Sequence, residues 1–176
     1  MARDPLQIDF SCPVPSQQQP CNEYKDLQES FFFCWGQLPL DKYVKKLLWL
    51  GFWSSLLLGP IVAAAFSPVR NFDQFLLAEI IGVSLSLGLA ILKLYLGWLY
   101  IRQRLTAKKV FYEESGWYDG QVWLKPEAIA SRDLLIVNYE IEPIMQRLKT
   151  TAGILLVVVI TSSFVWSALI NMPSKP

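Results

Sequence analysis

Two charged side chains interrupt the most apolar stretch of this sequence, and they are the first candidates for chemistry. Glu79 and Lys93 stand with Ser86 at seven-residue intervals in 76–101, a run that carries no other charge. Seven residues is close to two helical turns, so the three share one helix face. Ionisable groups in such a run are costly to bury and often line a proton or ion path. Distance weakens that idea: at ~1.5 Å per residue the two charges lie about 21 Å apart and cannot pair. Lys93 also has a stem long enough to carry its ammonium to a nearby membrane surface. Structural anchoring is therefore the plainer reading. The alternative is a small oligomeric transporter or ion-conducting protein using Glu79 and Lys93, which with so few spans requires a homo-oligomer.

Other reactive constellations are sparse. The chain has no histidine, which removes histidine-ligated haem or zinc, Ser-His-Asp hydrolysis and Cys-His catalysis together. Cys12, Cys21 and Cys34 all precede the first apolar run, are odd in number and form no C-x-x-C pair. They read as free thiols of a reducing compartment. Glu113, Glu114 and Asp119 gather around a turn, and carboxylates are the ligand type of hard divalent cations. Their spacing matches no calcium loop, and no metal site is predicted. Phosphate-binding loops, dinucleotide fingerprints and nucleophile elbows are absent from the sequence. The expectation is a non-enzymatic protein with no predicted cofactor. Pigment binding stays open, but its magnesium ligand would have to be something other than histidine. A net charge of +1 argues against nucleic acid as a partner.

Aromatic residues offer a different chemistry, that of contact. The segment 114–123, ESGWYDGQVW, places Trp117, Tyr118, Asp119 and Trp123 around two glycines. Trp and Tyr give large contact area at low entropic cost, which suits a partner surface. The competing reading rests these aromatics on the bilayer or on the N-terminal arm. Phe32 and Trp35 lie in a second aromatic-rich segment just before the first apolar run. They suit either an interfacial amphipathic segment or packing against the protein's own loop unit.

The elements that must position these residues follow from hydropathy. With 53% hydrophobic residues and a mean hydropathy of +0.31, the chain is more apolar than an ordinary soluble domain. Runs at 47–66, 76–101 and 152–170 are each long enough to cross a bilayer core. The predicted fold is a mainly α membrane protein with three transmembrane helices and a small β-hairpin and helix unit between the second and third. Gly51, Ser55, Gly59 and Ala63 recur every fourth residue in the first run, as do Ala78, Gly82, Ser86 and Ala90 in the second. Small residues let helices approach closely in lipid, so these ridges predict a tight antiparallel hairpin. Pro60 should bend the first helix near its outer end.

Residues 1–46 read as an irregular to amphipathic arm, with Asn22 as the cap of a short helix over 23–33 that sets Tyr24, Leu27 and Phe31 on one face. In 102–151, a hairpin is expected at about 110–125 and an amphipathic helix at about 127–148, kinked at Pro143. The rival reading makes 134–141 a third strand. Residues 171–176 form a short tail on the opposite side. Lys42, Lys45, Lys46, Arg102, Arg104, Lys108, Lys109, Arg147 and Lys149 all flank the spans on one side, against Arg70 and Lys175 on the other. The positive-inside rule then places the N-terminus and long loop in the cytoplasm or stroma. The N-terminal residues resemble neither a secretory signal nor a transit peptide, so entry without a cleaved presequence is expected.

Three segments also resemble one family: CPVPSQQQPCNEY at 12–24 with FFFCW at 31–35, YEESGWYDGQVWLKP at 112–126, and RDLLIVNYEIEPIMQRL at 132–148. The family is that called conserved in the green lineage and diatoms, member twenty-seven, or hypothetical chloroplast reading frame thirty-six. Cys21 departs from its pattern, where an apolar residue is expected. The resemblance implies an integral membrane protein of oxygenic phototrophs, in the thylakoid of a cyanobacterium or plastid. It also implies links to photosynthesis and to acclimation under iron limitation, with a membrane-protein partner in photosynthetic complex biogenesis. It brings no catalytic residues.

Overall fold

The computed structural model describes residues 13–113 and 120–171. Five helices and one two-stranded sheet follow in the order α1 (Pro20–Glu29), α2 (Leu40–Ala65), α3 (Phe72–Thr106), β1 (Lys109–Tyr112), β2 (Gln121–Leu124), α4 (Glu127–Ile136) and α5 (Glu142–Asn171). Three helical stretches of 26, 35 and 45 residues are long and apolar enough to cross a membrane: α2, α3, and α4 running on into α5.

Helix α1 begins at Pro20, earlier than the Asn22 cap expected from sequence. Proline suits the first helical turn, where its missing N–H would have no partner anyway. Asn22 instead donates from its side chain to the Ser16 carbonyl at 2.8 Å. The helix stops at Glu29, so Phe31 does not continue its face. A 3-10 turn over Phe33–Gln37 follows and leads into α2. Helix α2 runs through Pro60 to Ala65, and a turn closed by Ser67 O with the Asn71 N–H at 2.9 Å starts α3.

Residues 134–141 are helical, so the third-strand alternative does not form. The expected interruption near Pro143 takes the shape of a π turn over Val137–Ile141 between α4 and α5. Proline has no N–H and its ring crowds the carbonyl four residues back, here Tyr139. Widening the preceding turn accommodates that crowding and lets the helix continue. Between α3 and α4, β1 and β2 pair antiparallel with Val110 opposite Trp123 and Tyr112 opposite Gln121. A lone hairpin is marginal in water. This one is backed by Val14, which packs on the buried Val110 and Tyr112.

Burial concentrates at one end of the long helices. Ile91, Leu94, Trp98, Ile101 and Leu105 of α3 pack with Val137, Ile141, Ile144, Met145 and Leu148, and with Tyr24, Trp35 and Tyr43. The N-terminal arm is thus part of the core. The α2–α3 hairpin forms, but α2 buries only Tyr43. Two of the glycines there receive leucines. Leu58 Cδ1 lies 3.2 Å from the Cβ position of Gly82, and Leu87 lies 3.7 Å from that of Gly51. Ser86 shares a hydrogen bond of 3.0 Å with Ser54, not Ser55.

Candidate functional site

The side chains that bind the arm to the loop unit build the most connected polar region of the described residues. Glu23 on α1 accepts from Arg104 on α3 through both oxygens, at 2.7 and 3.1 Å. Arg104 also donates to the Gln18 carbonyl at 3.0 Å. This forked geometry is the strong form of a carboxylate–guanidinium contact. The Gln18 side-chain amide brackets Glu113, donating to its carbonyl and accepting from its N–H, each at 3.0 Å. It therefore extends the β1 edge as a further strand would. Tyr24 donates to Glu140 in the π turn and accepts from Gln28. Burial first, then the Glu140 carboxylate, pushes the Tyr24 hydroxyl above the ordinary tyrosine range. Arg147 donates to the Leu38 carbonyl at 2.6 Å, holding the segment that enters α2 against α5.

A second knot lies under the hairpin. Lys125 and Asp133 form an ion pair of 2.8 Å with side-chain exposures of 1% and 2%. Lys125 also donates to the carbonyls of Leu105 at 3.0 Å and Arg104 at 3.2 Å. Those carbonyls belong to the last turn of α3, where helix groups lack intrahelical partners and the dipole favours a cation. One ammonium thus ties the end of β2, the end of α3 and the middle of α4. Asp133 accepts further from Arg132 at 3.3 Å. Above the pair lies a cavity of about 470 Å³ walled by Pro20, Cys21, Trp123 and Ile129.

The residues singled out by sequence fall in several places. Trp35 is 6% exposed and belongs to the core. Phe32 is half-buried, packs on that core and lies 5.3 Å from Trp35, ring to ring. Both side chains of this pair thus pack on the protein's own core. Lys93 is exposed and places its ammonium 5.0 Å from the Phe32 ring of the arm. Glu79 is elsewhere, beside Gly59, with both carboxylate oxygens buried and without a hydrogen-bond partner among the described residues. The structure does not bring Glu79 and Lys93 together. Trp123 is half-buried against Val110 and its neighbours. Trp117, Tyr118 and Asp119 lie outside the described residues, as do Glu114 and Cys12. Glu113 is exposed. Cys21 and Cys34 are free thiols. Ser55, Ala63, Ala78 and Ala90 are all half-buried along their helices.

Sequence reasoning missed Lys125, Asp133, Glu23, Arg104 and Glu140 as a connected set. The available signal was weak. Lys125 precedes Pro126 at a helix start, and Asp133 follows two turns later in that helix, but nothing local says that both meet the end of α3.

Fold and site together define a mainly helical protein with three helices long and apolar enough to cross a membrane, closed at one end by a cap of arm, hairpin and α4. The family model described as CGLD27-like, conserved in the green lineage and diatoms 27, matches residues 12–154, and the chain belongs to that family. An uncharacterised protein, ycf36, of Pyropia yezoensis is 43% identical over 144 residues, covering 82% of this chain and 87% of its own length. The protein ycf36 of Cyanophora paradoxa is 40% identical over 147 residues, covering 84% and 92%. An Arabidopsis thaliana relative, named conserved in the green lineage and diatoms 27, chloroplastic, is 42% identical over 139 residues. That match spans 78% of this chain and 42% of the longer relative. No solved structure matches.

Proposed function

We propose that this chain is a multi-pass thylakoid membrane protein, with its cap in the cytoplasm or stroma. In this reading it is a non-enzymatic factor in the assembly, maintenance, or stress and iron acclimation of photosynthetic complexes. One observation carries the membrane part. Helix α2 presents Leu48, Trp49, Phe52, Trp53, Leu56, Leu57 and Ile61 outward, each at least 48% exposed. Water would make so large an apolar face unstable; lipid or a membrane partner makes it ordinary. The 35 residues of α3 extend about 52 Å, against about 30 Å for a bilayer core. Its last turns therefore stand outside as the post around which the cap folds.

The basic residues agree with this orientation. Lys42, Lys45, Lys46, Arg102, Arg104, Lys108 and Lys109 stand at the cap end, and Arg70 at the other. The cap's acids and bases are engaged in holding it together: Glu23 with Arg104, Asp133 with Lys125, Glu140 with Tyr24. That use favours scaffolding over catalysis. The plastid relatives support the compartment. The partner-facing candidates are the outward aromatics of α2 together with Trp117, Tyr118 and Asp119 of the sequence between β1 and β2. Affinity purification from membranes in mild detergent tests the role. Co-purification of a photosynthetic complex subunit, with lowered photosystem levels in a deletion strain, is expected. Recovery of the bare protein with normal photosystem levels would refute it.

A further inference from the structure

Between α3 and α5, just beyond the cap, runs an apolar cleft of about 410 Å³. Gly88, Ile91, Leu92 and Ala152 form its walls, and Tyr95 and Lys149 stand at the end nearest the cap. The cleft is open at Gly88, where an added Cβ would meet nothing within 4 Å. We propose that this cleft is a binding site for an anionic glycerolipid, one acyl chain lying along α3 and the headgroup held by Lys149 and Tyr95. The proposal rests on the membrane reading above and names a ligand for it.

Three observations support the assignment. The first is solvation. In a bilayer an open apolar groove at a helix–helix seam is filled neither by water, which finds no polar partners there, nor by vacuum, which forfeits dispersion contacts. A hydrocarbon chain is the filler of matching chemistry. The second is charge. Lys149 is exposed, with its ammonium 6.0 Å from the Tyr95 ring, and no acidic residue lines the cleft. Arg147, two residues earlier, donates to the Leu38 carbonyl, and Lys149 is the basic residue among those lining the cleft. The Tyr95 hydroxyl makes no hydrogen bond among the described residues and can donate to a phosphate or sulfonate oxygen. The third is depth. Lys149 precedes the uncharged run of α5 from Thr150 to Asn171, so its ammonium sits at headgroup level while the cleft extends towards the bilayer interior. Basic pockets between helices on the cytoplasmic side are recurrent anionic-lipid sites.

The test uses the full chain, purified in mild detergent and exchanged into discs of phosphatidylglycerol with phosphatidylcholine, then read by native mass spectrometry for retained lipid. Wild type should retain phosphatidylglycerol over phosphatidylcholine. Lys149→Gln should lower that preference about fivefold. Gly88→Leu, which fills the cleft, should abolish retention. Lys42→Gln, an exposed lysine on α2, should change nothing and controls for bulk attraction. Lys149 is on the surface, so its variant reports even where Gly88→Leu fails to fold. No retained lipid, equal retention of both lipids by wild type, or an unchanged preference in Lys149→Gln would overturn the site. So would a pigment in place of the lipid. An alkaline carbonate wash separates the two levels. A chain that stays in the membrane but holds no anionic lipid sinks this site alone, whereas a chain released by the wash sinks the membrane reading with it.

Discussion

Gly36 is where the arm meets both α3 and α5, and replacing it by alanine probes how firmly the cap is packed. An added Cβ would lie 2.7 Å from Ile144 Cγ2 and 2.9 Å from Trp98 Nε1. Neither neighbour has room to yield, because Trp98 is 0% exposed and Ile144 7%. Forcing one carbon into such a site costs about 1–3 kcal/mol. For a chain of this length each kcal/mol shifts Tm by about 2–4 °C, so Gly36→Ala should lower Tm by roughly 4–8 °C at the middle of that range. The assay is thermal unfolding in mild detergent followed by tryptophan fluorescence, with Trp98 and Trp35 as reporters inside the affected core. Gly88→Ala is the control. Its Cβ meets nothing, and alanine is better than glycine within a helix by ~1 kcal/mol, so Tm should hold or rise. A Gly36→Ala protein as stable as wild type, or two variants that fall equally, would refute the packing described for the cap.

Three further outcomes follow from the same geometry. Gly97→Ala should release the arm, since its Cβ would lie 2.8 Å from Phe33 Cδ1, and Phe33→Leu in the same chain should restore protection of the arm in limited proteolysis. Lys125→Met should destabilise by about 3–5 kcal/mol by removing the buried partner of Asp133 and leaving it only the exposed Arg132, while the double variant Lys125→Met, Asp133→Leu should recover much of the loss in denaturant titration. The raised Tyr24 hydroxyl predicts an alkaline effect. Because the folded protein holds that proton more tightly than the unfolded chain, the contribution to stability persists through neutral pH. It is lost only as the pH climbs past the ordinary tyrosine value of about 10. Just above that value, tyrosinate absorbance should be the same in wild type and Tyr24→Phe; a lower signal in the variant would show that Tyr24 titrates normally.

The long helices were legible because a bilayer-length apolar run is a local property, visible in 47–66, 76–101 and 152–170 without knowledge of any contact. The hairpin strands were legible for the same reason, from β-prone residues flanking glycines. The cap was not. Glu23 with Arg104, Gln18 with Glu113 and Tyr24 with Glu140 join segments far apart in the chain, and no periodicity announces such pairs. The small-residue ridges were real positions on real helices, yet spacing alone could not say that Gly82 would face Leu58 rather than another small residue. Lys93 shows the limit most clearly. Its spacing from Glu79 suggested a shared path, while the aromatic ring its ammonium meets, Phe32, lies about sixty residues upstream.

The central claim is that three helices cross a membrane with arm and hairpin joined on one side of it. Single cysteines at Phe31, Phe111 and Val69, which are 82%, 66% and 92% exposed, test it in sealed vesicles once Cys12, Cys21 and Cys34 are replaced by serine. A membrane-impermeant maleimide should label positions 31 and 111 from the same face and position 69 only from the other. Labelling of position 69 from the same face as position 111, or of position 31 from the face opposite to it, would contradict the account.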